Sequence, residues 1–147
     1  APQPERNARV RDIPLELLLE HAKNWEIRRN FPMQSLQLGE LPNSALQAIK
    51  EGWLKEGPTS SSWQNTATIV EQLKAVITVD TAMAHLCGML DIPCVVLLNK
   101  PCDWRWGQTK ERTSLYPSVR LARCKKFGLW ETALLQVEPL LHEMLER

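Results

Sequence analysis

The chain has 147 residues, 44% of them hydrophobic and 24% charged, with a formal net charge of +1. That is one domain's worth of sequence, enough to bury a single sizeable core, and its balance is ordinary for a globular protein. No apolar run reaches the roughly 20 residues needed to cross a bilayer, and the start is polar and Arg-containing rather than a signal peptide, so the expectation is a cytoplasmic protein with no membrane span.

Residues 1–12 read as an extended arm ahead of a single domain. Asp12 is placed to cap a helix with Pro14 in its first turn, running through LELLLEHAKNW with Leu15, Leu18, Leu19 and Ala22 on one stripe. His21 falls beside that stripe. MQSLQL (33–38) reads as a short strand stopped by Gly39, and Pro42 to Gly52 as a weaker helix. EGPTSSS is a loop, and a further helix is expected from Trp63 to Lys74.

AVITV (75–79) is a continuous β-branched apolar run, the pattern of a strand buried on both faces. Asp80 follows, then TAMAHLCGML as a helix, then CVVLL (94–98) as another buried strand. Strand, helix and strand within so few residues form a βαβ unit with parallel strands. Residues 100–126 then carry Lys100, Arg105, Lys110, Arg112, Arg120, Arg123, Lys125 and Lys126 against Asp103 and Glu111, a balance of +6. A local basic segment on a near-neutral chain suits a small anionic ligand better than a long nucleic acid; a solvated basic loop is the other reading. VRLAR (119–123) looks like an edge strand, and WETALLQVEPLLHEML an amphipathic helix kinked at Pro139. The expected fold is α/β, a Rossmann-like parallel sheet flanked by helices.

Cys87, Cys94, Cys102 and Cys124 form no CxxC pair and lack clustered His partners, so neither zinc nor any other metal is expected. Cys87 and His85, two apart on a helix, point to different faces and make a poor nucleophile pair. There is no P-loop, no dinucleotide fingerprint and no GxSxG elbow.

Ligands of parallel sheets bind beyond the carboxyl ends of the strands. That rule selects Gln37 after the first strand, Asp80 and Thr81 after the next, and Asn99, Lys100, Asp103, Trp104, Arg105 and Trp106 after CVVLL. The helix opening at Asp80-Thr81 offers free amides and a positive dipole end to a phosphate, with His85 one turn on. Asp80 is equally an ordinary helix cap, and His85 a polar residue on a packed helix. The two tryptophans of DWRW can stack on a base or sugar while the arginine meets phosphate, or they can bury a loop against the sheet.

The run VITVDTAMAHLCGMLDIPCVVLLNKPCDWRW, followed by SLYPSVRLAR and a closing helix, resembles the C-terminal end of bacterial glycosyltransferase family 9-like proteins, the heptosyltransferase relatives often fused to tetratricopeptide repeats. The likeness covers residues 75–141, with a looser match over 11–39. It implies the C-terminal half of a glycosyltransferase-B fold, holding a nucleotide-sugar donor without metal or cofactor. Asp80, Thr81 and His85 would contact the diphosphate and sugar, with Asp103, Trp104 and Arg105 lining the same cleft. Ala82 stands in that site where heptosyltransferases proper usually have Gly. The acceptor half and the general base have no counterpart, so the resemblance implies a donor-binding domain inactive in transfer by itself; a non-catalytic nucleotide or sugar-phosphate module and a structural domain are the alternatives. It also implies that the first, central strand is missing. The resulting gap is expected to close by direct pairing of the 33–38 and 75–79 strands, or by edge-to-edge association into a homodimer. No nucleic-acid partner is expected.

Overall fold

A computed structural model describes residues 12–36, 41–57 and 63–146. The fold is α/β with parallel strands and flanking helices, as expected. The chain forms two compact units, Pro14–Ile69 and one holding Val70–Arg147.

In the first unit, α1 (Leu15–Lys23) is followed by a 3-10 turn (Glu26–Arg29), β1 (Met33–Gln34), α2 (Asn43–Lys50) and β2 (Leu54–Lys55). The stripe foreseen on α1 buries Leu19 and Ala22. Its cap is not Asp12: Pro14 occupies the N-cap position, and its carbonyl accepts from the Leu17 and Leu18 amides at 3.1 and 3.2 Å. Leu19, Ala45, Ala48 and Leu54 form one core cluster, with Leu15, Met33, Leu41, Ile49 and Trp53 packed at its rim. Lys23 and Glu51 pair at 2.9 Å, and the Arg28 guanidinium lies 4.9 Å from the Trp53 ring.

β1 is shorter than the expected strand, and it pairs in parallel with β2, Met33 opposite Leu54 and Gln34 opposite Lys55. Among the described residues the 33–34 strand and the 75–79 strand belong to separate sheets, as expected of a chain lacking the strand between them. β2, a strand too short to leave a periodic signature, pairs with one side of β1, and the direct pairing of the 33–38 and 75–79 strands is not found among the described residues.

α3 (Trp63–Glu71) carries the division between the units. Beyond it come β3 (Val76–Val79), α4 (Ala82–Met89), β4 (Cys94–Leu98), a 3-10 turn (Trp104–Trp106), β5 (Val119–Arg123) and α5 (Trp130–Leu145). The order is β3-β4-β5, parallel throughout, with Val76 opposite Cys94 and Cys94 opposite Val119. β4 is central and all five of its residues are buried. β3 was expected to be buried on both faces, yet only Val76 is, because among the described residues β4 is its one partner. β5 is the expected edge strand, but a covered one: the Leu121 amide donates to the Glu111 carbonyl at 2.7 Å, and Arg112 bridges Arg120. That coverage removes β5 as a template for a second chain.

α5 lays Trp130, Ala133, Leu134, Val137, Leu140 and Leu141 on the sheet. It runs unbroken through Pro139, which sits on the exposed face together with Leu135, whose carbonyl loses its helical donor to the proline. Among the described residues no helix is long and apolar enough to cross a membrane.

Candidate functional site

Because β3, β4 and β5 run parallel, the segments that follow them leave the sheet at one edge. Asn99, directly after β4, is 7% exposed and ties two of these segments together. Its Oδ1 accepts from the backbone N–H of Lys100 and of Gly128, both at 2.8 Å. The loop after β4 and the loop after β5 thus share one anchor.

Asp103 opens the 3-10 turn. Its Oδ1 accepts from the Arg105 amide at 2.9 Å, and its Oδ2 lies 3.1 Å from Arg105 Nη1. The turn sends its two tryptophans in opposite directions: Trp104 is 76% exposed and Trp106 2%. The Arg105 guanidinium stands 5.2 Å from the Trp104 ring. Of the two readings of DWRW, burial of the loop holds for Trp106, while Trp104 stands open to solvent.

Arg123 was counted from sequence only as a charge, yet it braces this loop. Placed at the end of β5, it donates from Nη2 to the Trp106 carbonyl at 2.6 Å, from Nε to the Lys110 carbonyl at 2.7 Å and from Nη1 to the Gly107 carbonyl at 3.0 Å. Hydrogen bonds from a charged donor are the strong ones, each contributing about 1.5–3 kcal/mol. Gly107 has a φ of 71°, the left-handed region that favours glycine. No local pattern marks Arg123, because its three acceptors lie 13–17 residues away.

His85 does not point from α4 into open space. Its Nδ1 is 2.9 Å from the Tyr116 hydroxyl, and its ring stacks on Trp106 with centroids 5.1 Å apart. Gly88, one turn on, lets the Tyr116 ring lie against the helix, since a Cβ there would overlap it. Thr81 holds the N-cap position of α4 without a side-chain cap bond, and Ala82 is the exposed first residue. Asp80 precedes the cap, so the helix-capping role read for it belongs by position to Thr81. Gln37 lies outside the described residues.

A groove of about 640 Å³ opens along the loop, lined by Trp104, Arg105, Trp106 and the residues from Gly107 to Ser114 except Glu111. Of the expected site residues, Trp104, Arg105 and Trp106 line it. Asn99, Lys100 and Asp103 lie next to it in the chain, and Asp80, Thr81, Ala82 and His85 are not among its walls. The eight cations of residues 100–126 divide by role. Arg120, 4% exposed, and Arg123 turn inward onto carbonyls, while Arg105 and Arg112 pair with Asp103 and Glu143. Lys100, Lys110, Lys125 and Lys126 are exposed, and their ammonium groups have no partner among the described residues.

All four cysteines are free thiols. Cys87 and Cys94 share a hydrogen bond that lowers the first thiol's pKa and, with burial, raises the second well above the usual range. Desolvation lifts Cys124 to about 11.

No family model matches the chain, and no solved structure does. Curated relatives do. One from Prochlorococcus marinus strain MIT 9313 is 35% identical over 54 residues, 37% of this chain and 34% of the relative. Another from Synechococcus sp. strain CC9605 is 33% identical over 63 residues, 43% of this chain and 40% of the relative. A third, from a second strain of Prochlorococcus marinus, is 31% identical over 51 residues, 35% of this chain and 33% of the relative. Each carries the name "Putative pre-16S rRNA nuclease". The likeness spans between a third and two-fifths of their length.

These relatives correct the resemblance to family 9-like glycosyltransferases. The nucleotide-sugar donor falls with it, and so does the exclusion of nucleic acid as a partner. The physical reason lies in what carried the resemblance: a buried strand, a polar turn, a helix and a second buried strand recur wherever parallel sheets are built, and such a unit does not specify its ligand.

Proposed function

We propose that the chain is an RNA-binding unit of the ribosomal-RNA maturation class to which its relatives' names belong. The observation that carries this reading is electrostatic. Lys100, Lys110, Lys125 and Lys126 stand exposed, without ion-pair partners among the described residues, on the loops that follow β4 and β5. Lysines that are not neutralised from within the protein are free to replace the counterions of a phosphate backbone, and their release supplies sequence-independent affinity. The arginines of the same segment are already spent on Asp103, Glu143 and backbone carbonyls, and they shape the surface instead of charging it. Binding of this kind requires no cofactor. It places the chain in the cytoplasm, where its four thiols stay reduced. The reading concerns binding alone; among the described residues no group of three His, Cys, Asp or Glu is gathered to hold a metal ion.

Fluorescence anisotropy with a labelled oligoribonucleotide of about 10 nucleotides tests it. Affinity is expected to fall linearly on a log–log plot against salt, and each Lys→Ala among the four should flatten the slope by about 0.7. An absence of binding at low salt, or a slope unmoved by removing all four lysines, would refute the assignment.

A further inference from the structure

The RNA reading leaves open which form of RNA the surface takes, and the groove beside Trp104 bears on that choice. With 76% of its surface exposed, Trp104 is the most open large apolar side chain among the described residues. An indole ring has no reason to stand in water for the sake of the fold. Here the turn that exposes it is built by specific bonds, from Asp103 to the Arg105 amide on one side and from Arg123 to the Trp106 carbonyl on the other. Arg105 sits beside the ring, adding a planar cation to the same surface. Lys110 lines the same groove. Because Arg123 grips the carbonyls of Trp106, Gly107 and Lys110 together, the aromatic part and the cationic part are held at a fixed separation on the end of a buried strand. A ring for a base, placed next to a cation for a phosphate, is the arrangement that single strands require.

We infer that the groove from Trp104 to Arg112 takes an unpaired nucleotide of single-stranded RNA, its base stacked on Trp104 and its backbone phosphate against Lys110. The inference rests on the RNA-binding reading and narrows its substrate. A duplex does not satisfy the same surface, because base faces inside a helix are covered by their neighbours, and the shape of A-form RNA is read through its hydroxyls and phosphates instead. A stacking platform is reached only by bases in loops, bulges or ends.

The whole chain is titrated by anisotropy with a labelled single strand, with the same strand annealed to its complement, and with a labelled nucleoside diphosphate. The single strand should bind most tightly. Trp104→Ala should weaken it by about 5- to 150-fold, the loss of one base–aromatic stack, with Trp104→Phe retaining most of the affinity. Duplex binding, carried by the lysines, should not change in either variant. As the ring is exposed, the variants should melt with the parent protein, which separates a binding effect from a folding one. If RNA binds but Trp104→Ala alters nothing, or single strand and duplex bind alike, the inference is overturned while the RNA reading stands. Equal affinity for the nucleoside diphosphate overturns it too, since the groove would then hold a mononucleotide and not a strand. If neither RNA form binds, the RNA reading itself fails and this inference with it.

Discussion

The two compact units reach stability by different means. In Pro14–Ile69 one core cluster consists of Leu19 from α1, two alanines from α2 and Leu54 of β2, and the apolar side chains packed around it are only half-buried. Its two strands have two residues each. In the unit that starts at Val70, five consecutive residues of β4 are fully covered, β5 is buried over four of five, and a 16-residue helix lays six side chains on them. The difference teaches where a loop can be held still. A strand locked on both sides gives Arg123 a fixed base from which to position three carbonyls, whereas a two-residue ladder offers no comparable support.

The largest test of that contrast is a cavity on each side. Leu121→Ala, in the covered part of β5, should lose stability near the upper end of the roughly 2–5 kcal/mol seen for such truncations, and Leu54→Ala near the lower end, since half-buried neighbours can collapse into the space. Urea denaturation of both variants measures this. Equal losses would show that the two cores are equally rigid and would break the comparison.

A smaller effect contrasts one glycine from each unit. Gly88 is required by contact, with Tyr116 lying where a Cβ would go, while Gly52 is required by its φ of 88° and faces open space. Gly88→Ala should cost about 1–3 kcal/mol as overpacking. Gly52→Ala should cost about 1–2 kcal/mol of backbone strain. Thermal melts in a Tyr116→Ala background sharpen the distinction: there the Gly88 change should become almost neutral, and the Gly52 change should keep its full cost.

The smallest expected effect is on the alkaline pH dependence, through a thiol of the Val70 unit. Burial raises the Cys124 thiol from 9.0 to about 11, so the folded state keeps a proton that the unfolded chain gives up. The stabilisation from that thiol is fully present below pH 9 and is lost as pH rises from 9 to about 11. Cys124→Ala should therefore show a shallower loss of stability across this window than the parent chain, in denaturation profiles recorded side by side. Parallel profiles would mean that Cys124 titrates as an ordinary thiol.

Much of this second unit is legible in the chain. The β3-α4-β4 unit, the β5 strand and the buried stripe of α5 all follow from runs and periodicities confined to a few neighbouring residues. So does the position of the basic loop beyond β4. In the first unit the helices are legible and the sheet is not: MQSLQL looks longer than the two residues that pair, and Leu54–Lys55 is too brief to stand out. The candidate site is legible only in part. Trp104 and Arg105 can be picked out because parallel sheets place ligands at their carboxyl ends, but the chain gives no sign that Trp104 turns out and Trp106 in.

Local patterning by itself determined an α/β chain with parallel strands, because hydrophobic runs and helix periods are properties of adjacent residues. Tertiary structure alone decided the partners of the polar side chains. It gave His85 to Tyr116 across 31 residues and Arg123 to the loop carbonyls, paired Arg105 and Arg112 with carboxylates, and left four lysines exposed without partners among the described residues. Those choices depend on which groups the fold brings within hydrogen-bonding reach, which no periodicity encodes. They also determine which charges remain for a ligand, and for that reason a correctly read fold was compatible with an incorrectly read partner.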